Sequence, residues 1–303
     1  MILSGSLTPG IDPNVWALPA GTALRYERPA EALRLLVPSY AVLDSDPAVF
    51  RGPHSWLLPD WARLWIALTP GRITVRARRR QPDALGTAML FGSTSCAMPV
   101  TSQGGVSVVV DLTPAGWARW IDQPADGLRD QVTPLDRFWP AERTRELVAR
   151  LHASDRGASV KPVLDDFLLA MLPPPHRDEP ALAHIAALLG GGSVPTAAEA
   201  AVGLGVSSST LLHLTNRHFG YSIKVLARRT RFLRVLTAMM TAEQPPDHGA
   251  TPPGYANVPH FLRDAKEFLG MTPRRFMAMP MLYMRAALKA RTMVIGAPLP
   301  LLD

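Results

Sequence analysis

Residues 254–276, GYANVPHFLRDAKEFLGMTPRRF, predict a short amphipathic helix with a sharp start and a sharp end. The helix is expected to start after a tight turn at Gly254, with Asn257 as its cap and Pro259 tolerated in its first turn. The helix is expected to end at Gly270, which permits a left-handed cap. The dipeptide Thr272-Pro273 then prevents the helix from resuming. One face is apolar, with Phe261, Leu262, Ala265, Phe268 and Leu269. The opposite face carries Pro259, His260, Arg263, Lys266 and Glu267.

Residues 197–220 have a similar organisation, with two helices around a tight turn. Ala201 is small enough to let two helices cross closely, Gly205 permits the turn, and the serines that follow can cap the second helix. The second helix has Leu211, Thr215 and Phe219 inside, and its outer positions are Ser208, Ser209, Thr210, His213, Asn216 and Arg217. The pattern fits either an ordinary helical hairpin or a helix that enters the DNA major groove.

Between these two motifs, residues 224–240 predict a long helix with four arginines, Arg228, Arg229, Arg231 and Arg234. A helix of this length spans about 25 Å at 1.5 Å per residue. Two recognition helices held on such a rod can reach successive major grooves, roughly 34 Å apart on one face of DNA.

The positive charge of the chain is concentrated in the same region. Residues 1–180 contain 19 Lys and Arg against 19 Asp and Glu, whereas residues 181–303 contain 13 against 6. The whole net charge of +7 therefore lies in the C-terminal two-fifths. This imbalance indicates either a polyanionic partner or a basic soluble surface.

The N-terminal part has a different composition. All seven tryptophans precede residue 140, and strand-like segments rich in Val, Ile and Leu cover 33–44, 62–80, 86–91 and 104–112. Within 72–80, alternation predicts Ile73, Val75 and Ala77 inside and a basic outer face. Helical patterns follow at 141–153 and 163–172, and the proline-rich segment 173–180 is the predicted interdomain linker. The residues after Tyr283 lose periodicity and are expected to trail off.

The tryptophans allow two interpretations. They can shape an aromatic effector pocket, for which the candidates are Trp56, Trp61, Trp65, Trp117 and Trp120. Core and dimer packing is the alternative, since aromatic residues dominate both.

The sequence shows no motif for metal binding or catalysis. The eight histidines form no HxH or HExxH arrangement, so the sequence predicts no metal site and no cofactor. The single cysteine, Cys96, excludes an intramolecular disulfide and a multi-cysteine zinc site, and it fits a reducing cytoplasm. No motif of a hydrolase or nucleotide-binding enzyme is present, and no signal peptide or membrane span is expected.

The order of these motifs resembles the AraC/XylS family of bacterial transcription regulators over residues 181–282. The match in the second motif is carried by Gly254-Tyr255, Asn257, Pro259-His260-Phe261, Arg263, Lys266 and Gly270-Met271-Thr272-Pro273. The resemblance implies DNA binding by two helix-turn-helix motifs and an N-terminal domain that binds an effector, dimerises, or both. A repair-enzyme branch of similar proteins binds zinc through several cysteines, which a lone Cys96 does not provide.

Two departures from the family pattern affect the motifs. His213 and Thr215 stand where the first recognition helix usually has Arg and an aromatic residue. The helix that should support the second recognition helix corresponds to PDHGATPPGY, in which Pro252 and Pro253 each cost about 3 kcal/mol in a helix interior. We therefore predict that this supporting helix is shortened or irregular.

These inferences predict an α+β protein that is a cytoplasmic, dimeric transcription regulator and not an enzyme. The expected parts are an N-terminal β-rich domain with trailing helices (1–175), an all-α DNA-binding domain with two helix-turn-helix motifs joined by a long linker helix (181–282) and a tail (283–303). Groove contacts are expected from Ser208, Ser209, Thr210, His213, Asn216 and Arg217 in the first motif and from Asn257, Pro259, His260, Arg263 and Lys266 in the second. Phosphate contacts are expected from Arg228, Arg229, Arg274 and Arg275.

The expected partners are double-stranded promoter DNA, a second copy of the chain, a small-molecule effector, and RNA polymerase for an activator. The alternative is a regulatory interaction protein with a degenerate second motif that acts by sequestering a partner.

Overall fold

The structure is a computed structural model that describes residues 8, 11–12, 15, 18–48, 54–68, 73–76, 83–191, 196–244, 246–247, 249–279 and 281–302. Trp16 and most of the predicted basic strand face, including Arg72, Arg78 and Arg80, lie outside the described residues.

The N-terminal half contains two antiparallel sheets. Among the described residues, the strands are β1 Thr22–Glu27, β2 Tyr40–Ser45, β3 His54–Leu57, β4 Arg63–Ala67, β5 Ile73–Val75, β6 Asp83–Ala84, β7 Ala88–Phe91, β8 Met98–Ser102, β9 Gly105–Asp111 and β10 Val132–Pro134. The larger sheet has the order β1-β2-β9-β4-β7-β10, and the smaller has the order β3-β8-β5-β6.

Alternation along the strands divides the larger sheet into two buried faces. In β9, Val106, Val108 and Val110 face one apolar cluster, whereas Val109 packs with Val75 and Val100 of the smaller sheet in another. This follows from the two-residue period of side chains along a strand. The outer face of the larger sheet is covered by α1 Pro114–Trp120, α2 Ala141–Ala153 and α3 Val160–Ala170.

The C-terminal half is helical. Its helices are α4 Glu179–Gly190, α5 Ala197–Gly203, α6 Ser208–Phe219, α7 Ile223–Thr241, α8 Val258–Leu269, α9 Pro273–Met277 and α10 Leu282–Ile295. Helices α4 to α10 pack in one apolar cluster that also takes in Leu58, Trp61 and Ala97 of the N-terminal half. The predicted α+β class is confirmed.

Two segments differ from the sequence-based expectations. Residues 33–38 are not a strand, because a 3-10 helix at Glu31–Leu33 and a turn precede β2. The residues predicted to trail off instead contain α10, whose Ala286 and Ala290 are fully buried with Leu24 of β1. Small side chains four residues apart let this helix pack closely on the strand.

The end of α10 is fixed by the N-terminal half. The Arg28 guanidinium donates to the carbonyl oxygens of Val294 and Ile295 at 3.1 and 2.6 Å. Such contacts satisfy carbonyls that a helix C-terminus leaves without intrahelical partners. Among the helices of the described residues, none is both long and apolar enough to span a membrane.

Candidate nucleic-acid interface

The first motif is formed by α5 and α6. Thr196 and Glu199 form a reciprocal capping box at the start of α5, and Gly205 makes the turn with φ +64°. The Ser207 hydroxyl then accepts the N–H of Thr210 at 3.1 Å and caps α6.

The two faces of α6 agree with the sequence pattern. Leu211, Thr215 and Phe219 are buried. Ser208, Ser209, Thr210 and His213 are exposed, whereas Asn216 and Arg217 are half-buried. Arg217 pairs with Asp122 of the N-terminal half at 3.1 Å, so its guanidinium is already engaged in this arrangement.

The second motif is organised around α8. The Asn257 side-chain oxygen accepts the His260 N–H at 2.9 Å, and Gly270 ends the helix with φ +75°. Gly254 makes the preceding turn with φ +76°. Each of these three predicted roles is confirmed.

The outer face of α8 presents the predicted basic side chains. Arg263 and Lys266 are exposed, as are Asn257 and Pro259 at the start of the helix. His260 is half-buried and lies edge-on to the Tyr255 ring, with 5.1 Å between ring centroids. Leu262 was expected on the apolar face but is 39% exposed, because it lies at the border between the two faces.

Arg274 and Arg275 extend the exposed basic surface beyond α8. They lie in the first turn of α9, where the Thr272 hydroxyl accepts the Arg275 N–H at 3.3 Å. Both side chains are exposed, as expected for phosphate contacts.

The carboxylate of Asp264, which the sequence pattern did not single out, lies behind α8. It is 1% exposed, and Oδ1 accepts Arg228 Nη2 at 2.6 Å while Oδ2 accepts Arg231 Nη2 at 3.2 Å and the Tyr255 hydroxyl at 3.0 Å. Arg228 also pairs with Glu267 at 2.6 Å. Arg228 thus joins α7 to α8 in this arrangement, whereas it was expected to contact phosphate. Asp264 follows Arg263 within an amphipathic pattern, and only its place one turn from Phe261 and Phe268 hinted at burial.

Arg229 also lies away from the position that was expected for it. This predicted phosphate contact is fully buried between the two halves of the chain. Its Nη1 lies 3.3 Å from Ser93 Oγ, 3.4 Å from the Asp60 carbonyl and 2.5 Å from the Thr94 carbonyl. The guanidinium also lies over the Trp61 ring, 5.0 Å from its centroid. Arg229 therefore positions the linker helix α7 against the N-terminal domain in this conformation.

The segment before α8 agrees with the prediction that the supporting helix is shortened or irregular. No helix occurs among the described residues between α7 and α8, where residues 245 and 248 are not described. Pro252 and Pro253 lie here, and the proline ring prevents the usual helical hydrogen bond. The second motif therefore has α8 and α9 without a regular helix in front of α8.

The five tryptophans proposed for an effector pocket are separated by the fold. Trp56 and Trp65 line a cavity of about 170 Å³ between the two sheets and α10. Trp117 and Trp120 instead pack in the apolar cluster on the other face of the larger sheet. Trp61 packs against Phe219 of α6 with 5.3 Å between ring centroids. Two of the five candidates therefore line this cavity, and the larger sheet separates Trp117 and Trp120 from it.

Paired charges lie at one end of this cavity. Arg63 binds Asp60 at 2.8 Å and lies 3.6 Å from Asp111. Arg291 of α10 lies 4.0 Å from Asp111. Burial raises the pKa of Asp60 to about 6, against the lowering effect of Arg63. Burial also raises the pKa of Tyr26, on the cavity wall, to about 12.

Comparison with known proteins agrees with the architecture of the C-terminal half. Residues 200–279 match the family model of a helix-turn-helix domain, of AraC type. Comparison with curated proteins finds no match.

Solved structures give distant similarities. An apo variant of ToxT from Vibrio cholerae strain SCE256 is 11% identical with a TM-score of 0.42, covering 86% of this chain and 98% of that chain. ToxT from Vibrio cholerae in another crystal form is 13% identical with a TM-score of 0.44, covering 75% and 94%. The AraC-like transcriptional activator CuxR is 14% identical with a TM-score of 0.29, covering 70% and 86%.

The two capped helices, the linker helix between them and the match over residues 200–279 identify a helix-turn-helix domain of AraC type in the C-terminal half.

Proposed function

We propose that α6 and α8 are recognition helices that enter successive major grooves of promoter DNA. The observation that carries the proposal is the pair of exposed polar faces on α6 and α8, each beginning at a capped N-terminus. Ser209 and His213 occupy this face in α6, and Arg263 and Lys266 occupy it in α8. Such side chains can bond base edges and phosphates in the groove.

A mobility-shift assay on a mapped promoter site tests the proposal. Arg263→Ala should weaken binding about tenfold to a hundredfold and relax sequence preference, as expected for a lost base contact. Arg145→Ala removes the same charge from α2, where the side chain is 75% exposed, and should leave binding nearly unchanged. Equal binding by Arg263→Ala and the wild type would reject the assignment of α8.

The alternative, a regulator that sequesters a partner, is favoured because the described residues in front of α8 contain no helix. A second motif without this helix can lack autonomous DNA binding. Mapping of the DNA bound in cells distinguishes the two functions. Protected promoter sites support the DNA-reading function, whereas a stable heterocomplex without protected DNA supports sequestration.

We further propose that the N-terminal domain regulates DNA binding through a homodimer, an effector, or both, with RNA polymerase contacts in an activator. The cavity between the sheets suits a small, largely apolar effector with one polar group. Its volume of about 170 Å³ resembles that of an engineered cavity of ~150 Å³ that holds benzene. Tyr283, Met284 and Leu288 of α10 complete its wall, so an effector bound in this cavity would contact the C-terminal half.

Thermal-shift screening of single-ring acids, alcohols and amines tests the effector proposal, because a ligand that binds the folded state raises Tm. Ser107 lines the cavity, so Ser107→Leu should fill it and abolish the shift. His152→Ala, on the exposed side of α2, is the control and should retain the shift. A panel without any shift, or a shift that survives in Ser107→Leu, would reject the proposal.

A further inference from the structure

Two histidines and an aspartate meet where the interdomain linker contacts α6. His176 and Asp178 belong to the segment before α4, and His218 lies in the last turn of α6. The His218 Nε2 lies 3.1 Å from Asp178 Oδ2, and the His176 Nδ1 lies 3.9 Å from the same oxygen. One ligand atom from each residue lies within 4.8 Å of the others. Among the described residues, this is the group of His, Cys and carboxylate side chains with a spacing suited to a metal ion.

The His176 ring is already hydrogen-bonded within this group. Its Nδ1 accepts the backbone N–H of Asp178 at 3.2 Å, so an ion bound at this nitrogen would replace that hydrogen bond.

A second layer of contacts fixes the position of His176. Its backbone N–H donates to Glu179 Oε1 at 2.7 Å, and the other carboxylate oxygen of Glu179 accepts Arg119 Nη2 at 3.0 Å. Arg119 belongs to α1 in the N-terminal domain. The segment that carries His176 is thus held between the two halves of the chain, as expected for an ordered binding site.

We propose that His176, Asp178 and His218 form a site for a divalent first-row transition-metal ion, with Zn²⁺ as the reference ion. Two imidazole nitrogens and one carboxylate oxygen suit zinc and its neighbours better than Mg²⁺ or Ca²⁺. Ligands about 2.1 Å from a tetrahedral ion lie roughly 3.4 Å apart, and the separations of 3.1 and 3.9 Å bracket this value. A rotation of the His176 ring would bring its nitrogen, the third ligand atom of the site, into range, and water would complete the coordination.

The ion would join α6 to the interdomain segment that carries His176 and Asp178. His218 is 4% exposed and faces away from the outer side chains of α6, so coordination leaves Ser209 and His213 accessible. Coordination instead fixes the inner side of this helix against the segment that leads to the N-terminal domain. The effect on DNA reading rests on the proposed role of α6, whereas the metal site itself does not.

Calorimetric titration of the chelator-treated full chain with Zn²⁺ tests the site. The expected result is one ion per chain, a rise in Tm, and an absorption band of Co²⁺ bound in its place. His176→Ala and Asp178→Asn change side chains that are partly exposed, and each should weaken binding at least tenfold. His184→Ala removes an exposed histidine of α4 and serves as the matched control with unchanged affinity.

Absence of stoichiometric binding, or equal affinity in His176→Ala and the wild type, would overturn the proposal. Circular dichroism of each variant confirms that lost binding is not lost folding, and agreement between two variants at partly exposed positions avoids reliance on the buried His218. The titration contains no DNA. Its outcome is therefore independent of whether Arg263→Ala weakens operator binding.

Discussion

Asp60 combines a buried carboxyl group with contacts to three parts of the chain. Its Oδ1 accepts the Trp61 N–H at 2.8 Å and the Leu301 N–H at 3.3 Å, and its Oδ2 accepts Arg63 Nη2 at 2.8 Å. Its backbone carbonyl faces Arg229 of α7. One residue therefore connects the cavity, the C-terminal segment and the linker helix.

The raised pKa of Asp60 gives a testable dependence of stability on pH. Because its pKa is about 6 in the folded state and about 3.9 in an unfolded chain, the folded state binds the proton more tightly. The resulting stabilisation is present below pH 4 and is lost as the pH rises to 6, by roughly 3 kcal/mol at most. Urea unfolding of the wild type and Asp60→Asn across pH 4–7 measures the difference. A difference that does not vary with pH would contradict the raised pKa.

Two neighbouring arginines of α7 have different partners, which their sequence pattern does not distinguish. Arg228 and Arg229 both belong to a basic amphipathic pattern, and both were expected at the DNA backbone. Arg228 neutralises Asp264 and Glu267, whereas Arg229 binds main-chain oxygens of the N-terminal domain. The partners of each arginine come from distant segments of the chain, so a local sequence pattern does not predict them.

At the scale of elements, the bounds of α8 follow directly from local chemistry. Asn257, Gly254 and Gly270 act where the sequence placed a cap, a turn and an end. Each role depends on contacts within a few residues. The same holds for the two trailing helices α2 and α3, whose apolar positions recur with helical spacing.

Removal of the cap of α8 should weaken the second motif. Asn257→Ala leaves the His260 N–H without its side-chain acceptor and should lower the free energy of unfolding by about 1 kcal/mol. Asn257→Ser keeps an acceptor oxygen and should retain most of that stability. Urea unfolding of the two variants provides the comparison. An equal loss in both would show that the cap hydrogen bond does not stabilise the helix.

Helix α10 shows the limit of local patterns for whole elements. The residues after Tyr283 were expected to trail off, yet the short side chains of Ala286 and Ala290 allow close packing on β1. The partner strand lies more than 250 residues earlier in the chain. Tertiary packing therefore determined an element that periodicity left undefined.

At the scale of the whole molecule, the two halves share a buried interface. Trp61 packs against Phe219, Tyr221 donates to the Ser93 carbonyl at 3.2 Å, and the Ala97 N–H donates to the Phe268 carbonyl at 2.7 Å. These contacts reach α6, the start of α7 and the end of α8. A change in the N-terminal half can therefore reach both proposed recognition helices through these contacts.

The Arg217–Asp122 pair offers a direct test of this connection. Asp122→Asn should release Arg217 and strengthen DNA binding by up to about fivefold at low salt, since an exposed pair contributes at most ~1 kcal/mol. Asp166→Asn removes the same charge from α3 and should have little effect. Fluorescence anisotropy with operator DNA provides the affinities. In an Arg217→Ala background Asp122→Asn should change nothing, and a persistent gain there would refute the coupling.

The sequence by itself determined the α+β class, the two motifs, the caps of their helices and the excess positive charge around them. These features arise from side-chain periodicity, cap chemistry and charge, which act over a few residues. The tertiary structure alone decided that Arg229 is buried, that α10 closes the cavity, that the sheet separates the tryptophans, and that His176, Asp178 and His218 meet. Each of these depends on contacts between segments far apart in the chain, because packing brings together groups that no local spacing relates.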